Sequence, residues 1–235
     1  MKKIIKIIAK ILTIFIYPKQ KRQIRRYYLE RKLQTKFFGG QVLKTAKSIG
    51  KDFWCGGFSC VNKHTILKDS VCFNGMFING GGNVTIGSYF HSGMQCMIIT
   101  QNHNYDNSEW IPYGTTYNYK DVIIDDFVWL GRRVTILPGT HIGEGAIIQA
   151  GSVVHGEIPP YAIAGGNPAK VFKYRDVEHF KKLKAEKKFN SGDAYCIHKF
   201  GLENFEKYAP NMKASATRER ERERERERVA YHKLN

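Results

Sequence analysis

Cysteine is scarce in this chain: five residues, an odd number, with no Cys-x-x-Cys pair. That pattern fits neither a disulfide framework nor a thiolate zinc site and points to a reducing cytosol. Long apolar runs are also missing. The most apolar stretch, at the N-terminus, is cut by Lys6 and Lys10 and ends at Pro18, short of the ~20 apolar residues that cross a bilayer. No small-residue cleavage site comes after it, which argues against a secretory signal. Acidic side chains are nearly absent from the first 51 residues, where Glu30 stands against 11 Lys and 4 Arg. The formal charge of +17 therefore belongs mostly to one end. Such a concentration argues for an anchor to anionic lipid or an acidic polymer rather than for a basic catalytic groove. No nucleic-acid-binding motif accompanies it, so nucleic acid is not expected as a partner.

The positive signals begin with that N-terminal end. On a helical wheel Ile4, Ile5, Ile7, Ile8, Ile11, Leu12, Ile14, Phe15 and Ile16 fill one arc, and Lys2, Lys3, Lys6, Lys10 and Thr13 the other. This is an amphipathic helix. A basic run extends from Lys19 to Lys32, with Tyr27 and Tyr28 placed to sit at headgroup depth. Residues 1–35 are expected either to lie on the cytoplasmic face of a bacterial inner membrane or to pack on the protein body or on a neighbouring subunit.

The remaining chain, with 235 residues and 42% hydrophobic content in all, suffices for one sizeable domain. Its strongest signal is a period of six. Ile124, Leu130, Ile136, Ile142, Ile148 and Val154 stand six apart, and four places after the first five come Val128, Val134, Thr140, Ala146 and Ser152. An α-helix would repeat near 3.6 and a simple strand at 2, so neither generates strict sixes. Each hexad reads as one short strand plus a turn, with three hexads per triangular coil and coils stacked in parallel. The aliphatic residue and the compact one both point inward, while Gly131 and Gly143 are expected where the backbone bends sharply. Upstream, Ile49, Cys55, Val61, Leu67 and Phe73 repeat the template, with Phe53, Ser59, Thr65, Val71 and Phe77 as partners. After a slip at Gly80-Gly81-Gly82 come Ile86, Ser92 and Ile98, with Phe90, Cys96 and Asn102. About five coils are expected between residues 49 and 159, interrupted by a polar and aromatic insertion at about 103–121 whose composition suits a binding loop on a rigid scaffold.

The motifs VWLG, ILPGTHIGEGA, AGSVV, the Pro159-Pro160 pair and GGNPAK, preceded by NVTIG and NHNYD, fall between Asn83 and Lys170, within a repeat-bearing stretch of about residues 49–175. Together they resemble the hexapeptide-repeat acetyltransferases that act on galactosides, maltose and xenobiotics, and the O-acetyltransferases of bacterial capsule and lipopolysaccharide. The resemblance implies a left-handed parallel β-helix spanning 49–172, an N-terminal segment 1–48, and a C-terminal helix and charged tail over 173–235. It also implies a homotrimer with active sites between subunits, acetyl-CoA as donor, no metal, and a sugar hydroxyl of a surface glycan or its precursor as acceptor.

Several residues acquire roles by the same resemblance. His103 stands where the family carries its catalytic histidine, and an imidazole can take the proton of an attacking hydroxyl near neutral pH. Trp129 precedes the inward Leu130 and must face outward, either toward pantetheine or acceptor or into the packing between subunits of the trimer. Arg132, Ala150 and His155 fall in the coenzyme groove, Ala150 and His155 through their backbones. His155-Gly156 departs from the Thr-Lys usual there. Lys170 and Lys173 are placed to meet coenzyme phosphates. Asn74 is a candidate for acceptor binding or for a structural turn.

Three other readings bear on function. A soluble acetyltransferase of small sugars or xenobiotics shares every motif. A histidine-ligated metal enzyme on the same scaffold would need a second loop histidine, and Ser108 stands where a His-x-x-x-x-His partner would be. A non-catalytic polyanion binder would leave the coenzyme motifs unexplained. At the C-terminus a helical pattern through Val177, Phe180 and Leu183 leads to strict Arg/Glu alternation at 218–228. That alternation places like charges at i,i+4 and reads as a solvated tail. An uninterrupted AG dinucleotide tract would encode it, and slippage there would alter only the residues beyond Arg228.

Overall fold

A computed structural model of the chain describes residues 1–13 and 19–190. Ile14 to Pro18, the mixed segment ending at Met212 and the Arg/Glu tract lie outside the described residues.

The hexads become short strands on three faces of a parallel solenoid. Face A stacks Ser48–Ile49, Thr65–Leu67, Val84–Ile86, Val122–Ile124, His141–Ile142 and Glu157–Ile158. Face B stacks Trp54–Gly57, Cys72–Asn74, His91–Ser92, Trp129–Leu130, Ile147–Ile148 and Ala162–Gly166. Face C stacks Met76–Asn79, Cys96–Ile99, Thr135–Ile136 and Val153–Val154, and begins with a bridge between Cys60 and Phe77. Five steps separate the first and last strands of face A, which gives the expected five coils, and Glu157–Ile158 with Ala162–Gly166 begins a sixth.

All eleven inward positions read from residues 124–154 are at most 1% exposed. Burial of each large aliphatic contributes roughly 1.5–3 kcal/mol, which gives the column its hold on the fold. Upstream the inward assignment fails twice. Phe77 faces outward because Cys72–Asn74 turns onto face C a residue sooner, burying Met76 and Ile78 instead. Asn102 is exposed because the chain has already left the solenoid, and Thr100 takes the buried place.

The glycine reading also needs correcting. The left-handed turn residues of the A/B corner are Asp52, Ser70, Tyr89, Phe127, Gly145 and Tyr161, whose φ lies between +57° and +68°. Gly131 and Gly143 serve close approach instead: a Cβ on Gly131 would lie 2.5 Å from the Ala150 nitrogen of the next coil.

A solenoid has two open ends whose strand groups need partners. At the N-terminal end, helices α1 (Lys2–Thr13), α2 (Lys19–Phe38) and α3 (Gly40–Thr45) provide them. The Thr35 hydroxyl accepts from the Cys55 amide at 3.1 Å, the Phe38 carbonyl from Ser59 at 3.0 Å, and the Gln41 side chain from Val61 at 2.7 Å. At the other end Ala169–Tyr174 folds back antiparallel on Ala162–Gly166.

Helix α4 (Val177–Ala185) is capped by Asp176, whose carboxylate accepts from the His179 amide at 2.9 Å. It lies along the A/B corner. Phe180 packs on Tyr161 and Phe127, and Phe189 on Tyr89 and Phe127. A Cβ on Gly145 would come within 2.9 Å of the Phe180 ring, so this glycine keeps the space that the helix fills.

Candidate active site

The insertion leaves the solenoid after Thr100 and returns at Asp121, on the C/A corner. Both anchors are tied down. The Thr100 hydroxyl accepts from the Gly82 amide at 3.1 Å, and the Asp121 carboxylate accepts from the Asn83 backbone at 2.8 Å and side chain at 3.0 Å. Those two donors hold the Asp121 carboxyl below the usual carboxylate range. Between the anchors Gln101–His103 pairs antiparallel with Tyr117–Tyr119, setting His103 opposite Tyr117.

The imidazole of His103 is enclosed by aromatics. Tyr113 stacks on it at 3.8 Å between centroids and 20° between planes, and Tyr117 lies at 4.5 Å. Its Nδ1 is covered, and it is one of only two buried side-chain polar atoms among the described residues without a hydrogen-bond partner; Arg175 Nε is the other. Leaving such a group unpaired costs about 1–3 kcal/mol, so a covered nitrogen of this kind calls for a partner or a role. Beyond the histidine the loop exposes Tyr105, Trp110, Ile111 and Tyr119, a large aromatic surface on a small element.

The other sequence-derived residues gather elsewhere. Trp129 is half exposed on face B, in one outward column with Trp54, Cys72, His91, Ile147 and Ile163. Lys173 extends this column opposite Ile163, and Lys170 sits opposite Gly165. Arg132 and Ala150 stack on the B/C edge, where the Gly151 amide donates to the Arg132 carbonyl at 2.8 Å and the Arg132 guanidinium touches the Met94 sulfur at 3.0 Å. Asn74 ends its face B strand toward the same edge. His155 instead comes after Val153–Val154 on the C/A side, the side that carries the loop. Within one chain, face C thus separates His103 and His155 from Trp129, Arg132, Ala150 and Asn74.

Sequence reasoning passed over His91. Its ring accepts the Asn74 side-chain N–H at 3.3 Å if the imidazole carries its proton on Nδ1, while the same amide donates to the Ser92 carbonyl at 2.9 Å. Burial, and then the nearby Arg31 guanidinium of α2, push the His91 pKa below its ordinary value and favour that neutral form. Arg31 also lies 4.9 Å from the Trp54 ring. The signal was available: Ser92 and Leu130 are both inward positions, so the residues before them had to share one outward column. Tyr113 and Tyr117 carried no such signal, since pairing inside an irregular loop has no period to read.

Comparison with known proteins matches residues 121–156 to a family described as bacterial transferase hexapeptide, six repeats. That stretch is hexapeptide repeat. The chain is 38% identical over 98 residues to a protein of Escherichia coli K12 named for lipopolysaccharide biosynthesis O-acetyl transfer, WbbJ, covering 39% of this chain and 50% of that one. It is 53% identical over 55 residues to a protein of Lysinibacillus sphaericus named as a macrolide acetyltransferase, covering 23% and 31%. The matched stretches thus span about a third to a half of these relatives. Among solved structures, the N-acyltransferase AntD of Bacillus cereus, with dTDP and coenzyme A, superposes with a TM-score of 0.52 at 18% identity, covering 60% of this chain and 80% of that one. This likeness is one of fold, and with the repeat match it makes the body a left-handed parallel β-helix of the hexapeptide class. No group of three or more His, Cys, Asp or Glu side chains that could hold a metal ion occurs among the described residues.

Proposed function

We propose that this chain is an acetyl-CoA-dependent O-acetyltransferase acting on a sugar hydroxyl of a bacterial surface glycan, such as capsule or lipopolysaccharide, or of its precursor. The observation that carries the reading is the enclosed imidazole of His103 at the root of a loop extruded from a hexapeptide solenoid. In the proposed reaction His103 takes the proton of the acceptor hydroxyl as its oxygen attacks the thioester carbonyl. A tetrahedral adduct forms, the C–S bond breaks, and the departing thiolate takes the proton back from His103, so coenzyme A leaves as the thiol with no acyl-enzyme. Stacking by Tyr113 and Tyr117 fixes the ring plane, so little ordering is left to be done when the acceptor arrives.

The donor is assigned to Trp129, Arg132, Ala150 and the region of Lys170 and Lys173, with His155 reaching it from the neighbouring copy and Asn74 and Trp129 toward the acceptor. Because face C separates these residues from His103, the reading places the reaction between subunits of a homotrimer, where the loop of one copy meets the groove of its neighbour. A partner for the covered Nδ1 then comes from the neighbouring copy. The seat of the reaction is the cytoplasm, at the inner face of the membrane.

The choice of a glycan over a small soluble acceptor rests on the WbbJ resemblance and on the charge of the N-terminal end. The macrolide-acetyltransferase resemblance favours the alternative. Thiol release from acetyl-CoA across a panel of free galactosides, macrolides and chloramphenicol, beside polysaccharide purified from the source cell, decides between them. Turnover confined to the polysaccharide or its precursor supports the proposal; efficient turnover of a free small acceptor overturns the glycan assignment.

A further inference from the structure

Among its described side chains, helix α1 buries one edge of its apolar arc. Ile5 is buried at 7% exposure in the cluster that includes Phe38 and Val42, and the Lys2 ammonium sits 5.9 Å from the Phe38 ring centroid. The other edge is left open: Ile4, Ile7, Ile8 and Ile11 are 59%, 53%, 44% and 60% exposed. Their spacing of i, i+3, i+4 and i+7 makes a single stripe along the helix. Lys3 and Lys6, also exposed, lie on the flank of that stripe opposite Ile5.

A fixed helix that presents four isoleucines to solvent has a second surface to meet. Its charge says which. The first 51 residues hold 15 cations, and their one acid, Glu30, is already bonded to Arg26 at 2.8 Å. Pairing the stripe with the same stripe of a second copy would press two strongly basic ends together, whereas an anionic bilayer satisfies both features at once. No helix among the described residues is long and apolar enough to cross a membrane. The remaining geometry is a helix lying in the plane of the interface, isoleucines among the acyl chains and lysines reaching back to the phosphates.

We infer that the Ile4-Ile7-Ile8-Ile11 stripe of α1 is a docking face for an anionic lipid bilayer, held to the protein body through Ile5. The inference stands on α1 and its surroundings and is independent of the acetyl-transfer reading. Its consequence is that the capped N-terminal end of the solenoid faces the lipid.

The test uses the full chain. Co-sedimentation with vesicles of phosphatidylethanolamine and phosphatidylglycerol is compared with phosphatidylcholine vesicles, for the native protein and for an Ile4→Glu, Ile8→Glu, Ile11→Glu variant. These side chains are solvent-exposed, so the variant is expected to keep its circular dichroism spectrum. Native protein should bind the anionic vesicles, lose most of that binding when salt is raised to about 0.5 M, and bind neutral vesicles weakly. The variant should bind the anionic vesicles at least ~10-fold less. Unchanged binding by the variant, no native binding, or equal native binding to both vesicle types overturns the inference. A variant that loses oligomeric mass in light scattering, with lipid binding unaltered, overturns it in favour of self-association. Acetyl transfer to soluble acceptors is expected to be equal in the two proteins, so a failed transferase assay cannot be mistaken for failed docking.

Discussion

Residues 122–158 and residues 101–120 are adjacent in sequence and opposite in construction. The first segment buries every sixth side chain and ties each of its strands to the coil before it, and all but the last strands of faces A and C to the coil after it. The second has one short hairpin, exposes most of its aromatics, and leaves a covered nitrogen unpaired. The difference teaches how this molecule divides its labour. The solenoid is fixed by packing that needs nothing from outside, whereas the loop holds one imidazole firmly and offers the rest of its surface to something else.

The sharpest way to break this contrast is to remove a group that the loop holds and the core does not need. His103→Ala should lower turnover by about 10²–10⁴-fold while acetyl-CoA affinity by calorimetry stays near normal and urea unfolding is unchanged. The mirror experiment is Ile136→Ala, at a position with no measurable exposure. It should cost about 2–5 kcal/mol of stability in urea unfolding, with the residual folded fraction retaining normal turnover per molecule. A milder effect is expected at the A/B corner. Gly145→Val would place a β-branched residue at φ +68° and press on Phe180, costing about 1–3 kcal/mol. A lower melting temperature with α4 released to proteolysis would mark it.

The smallest effect concerns His91, whose pKa is lowered in the folded chain by burial and by Arg31. Above the ordinary value of about 6.5 the ring is neutral folded or unfolded and its full contribution is present. As pH falls through that value and on through the folded pKa, the unfolded state takes up the proton more readily, so stability declines. His91→Phe should flatten this part of the profile of melting temperature against pH, and an unchanged slope would show that the decline arises elsewhere.

The same contrast explains what could be read in the sequence. The downstream coils were legible because a strict six-residue period and a compact partner four places on have one packing solution. Phe77 and Asn102 were misplaced where one turn shortens and where the hairpin begins, changes of one or two residues that a fixed period cannot register. Packing of the N-terminal segment on the body was one of the two readings open in the sequence, but its partners were not legible: Thr35, Phe38 and Gln41 act through hydrogen bonds to residues about 20 positions away, and no local pattern announces them. His91 required only the coil arithmetic already in use. The stacking of Tyr113 and Tyr117 on His103 required coordinates, because the loop sets its own pairing.

The proposed transfer of an acetyl group from acetyl-CoA to a glycan hydroxyl by way of His103 can be read directly by mass spectrometry of cell-surface polysaccharide. Three strains are compared, carrying the native gene, the His103→Ala gene or none. This role of His103 predicts acetyl groups with the native gene that vanish from both other strains while the His103→Ala protein is present at normal abundance. Polysaccharide acetylated equally in the native and His103→Ala strains would contradict it.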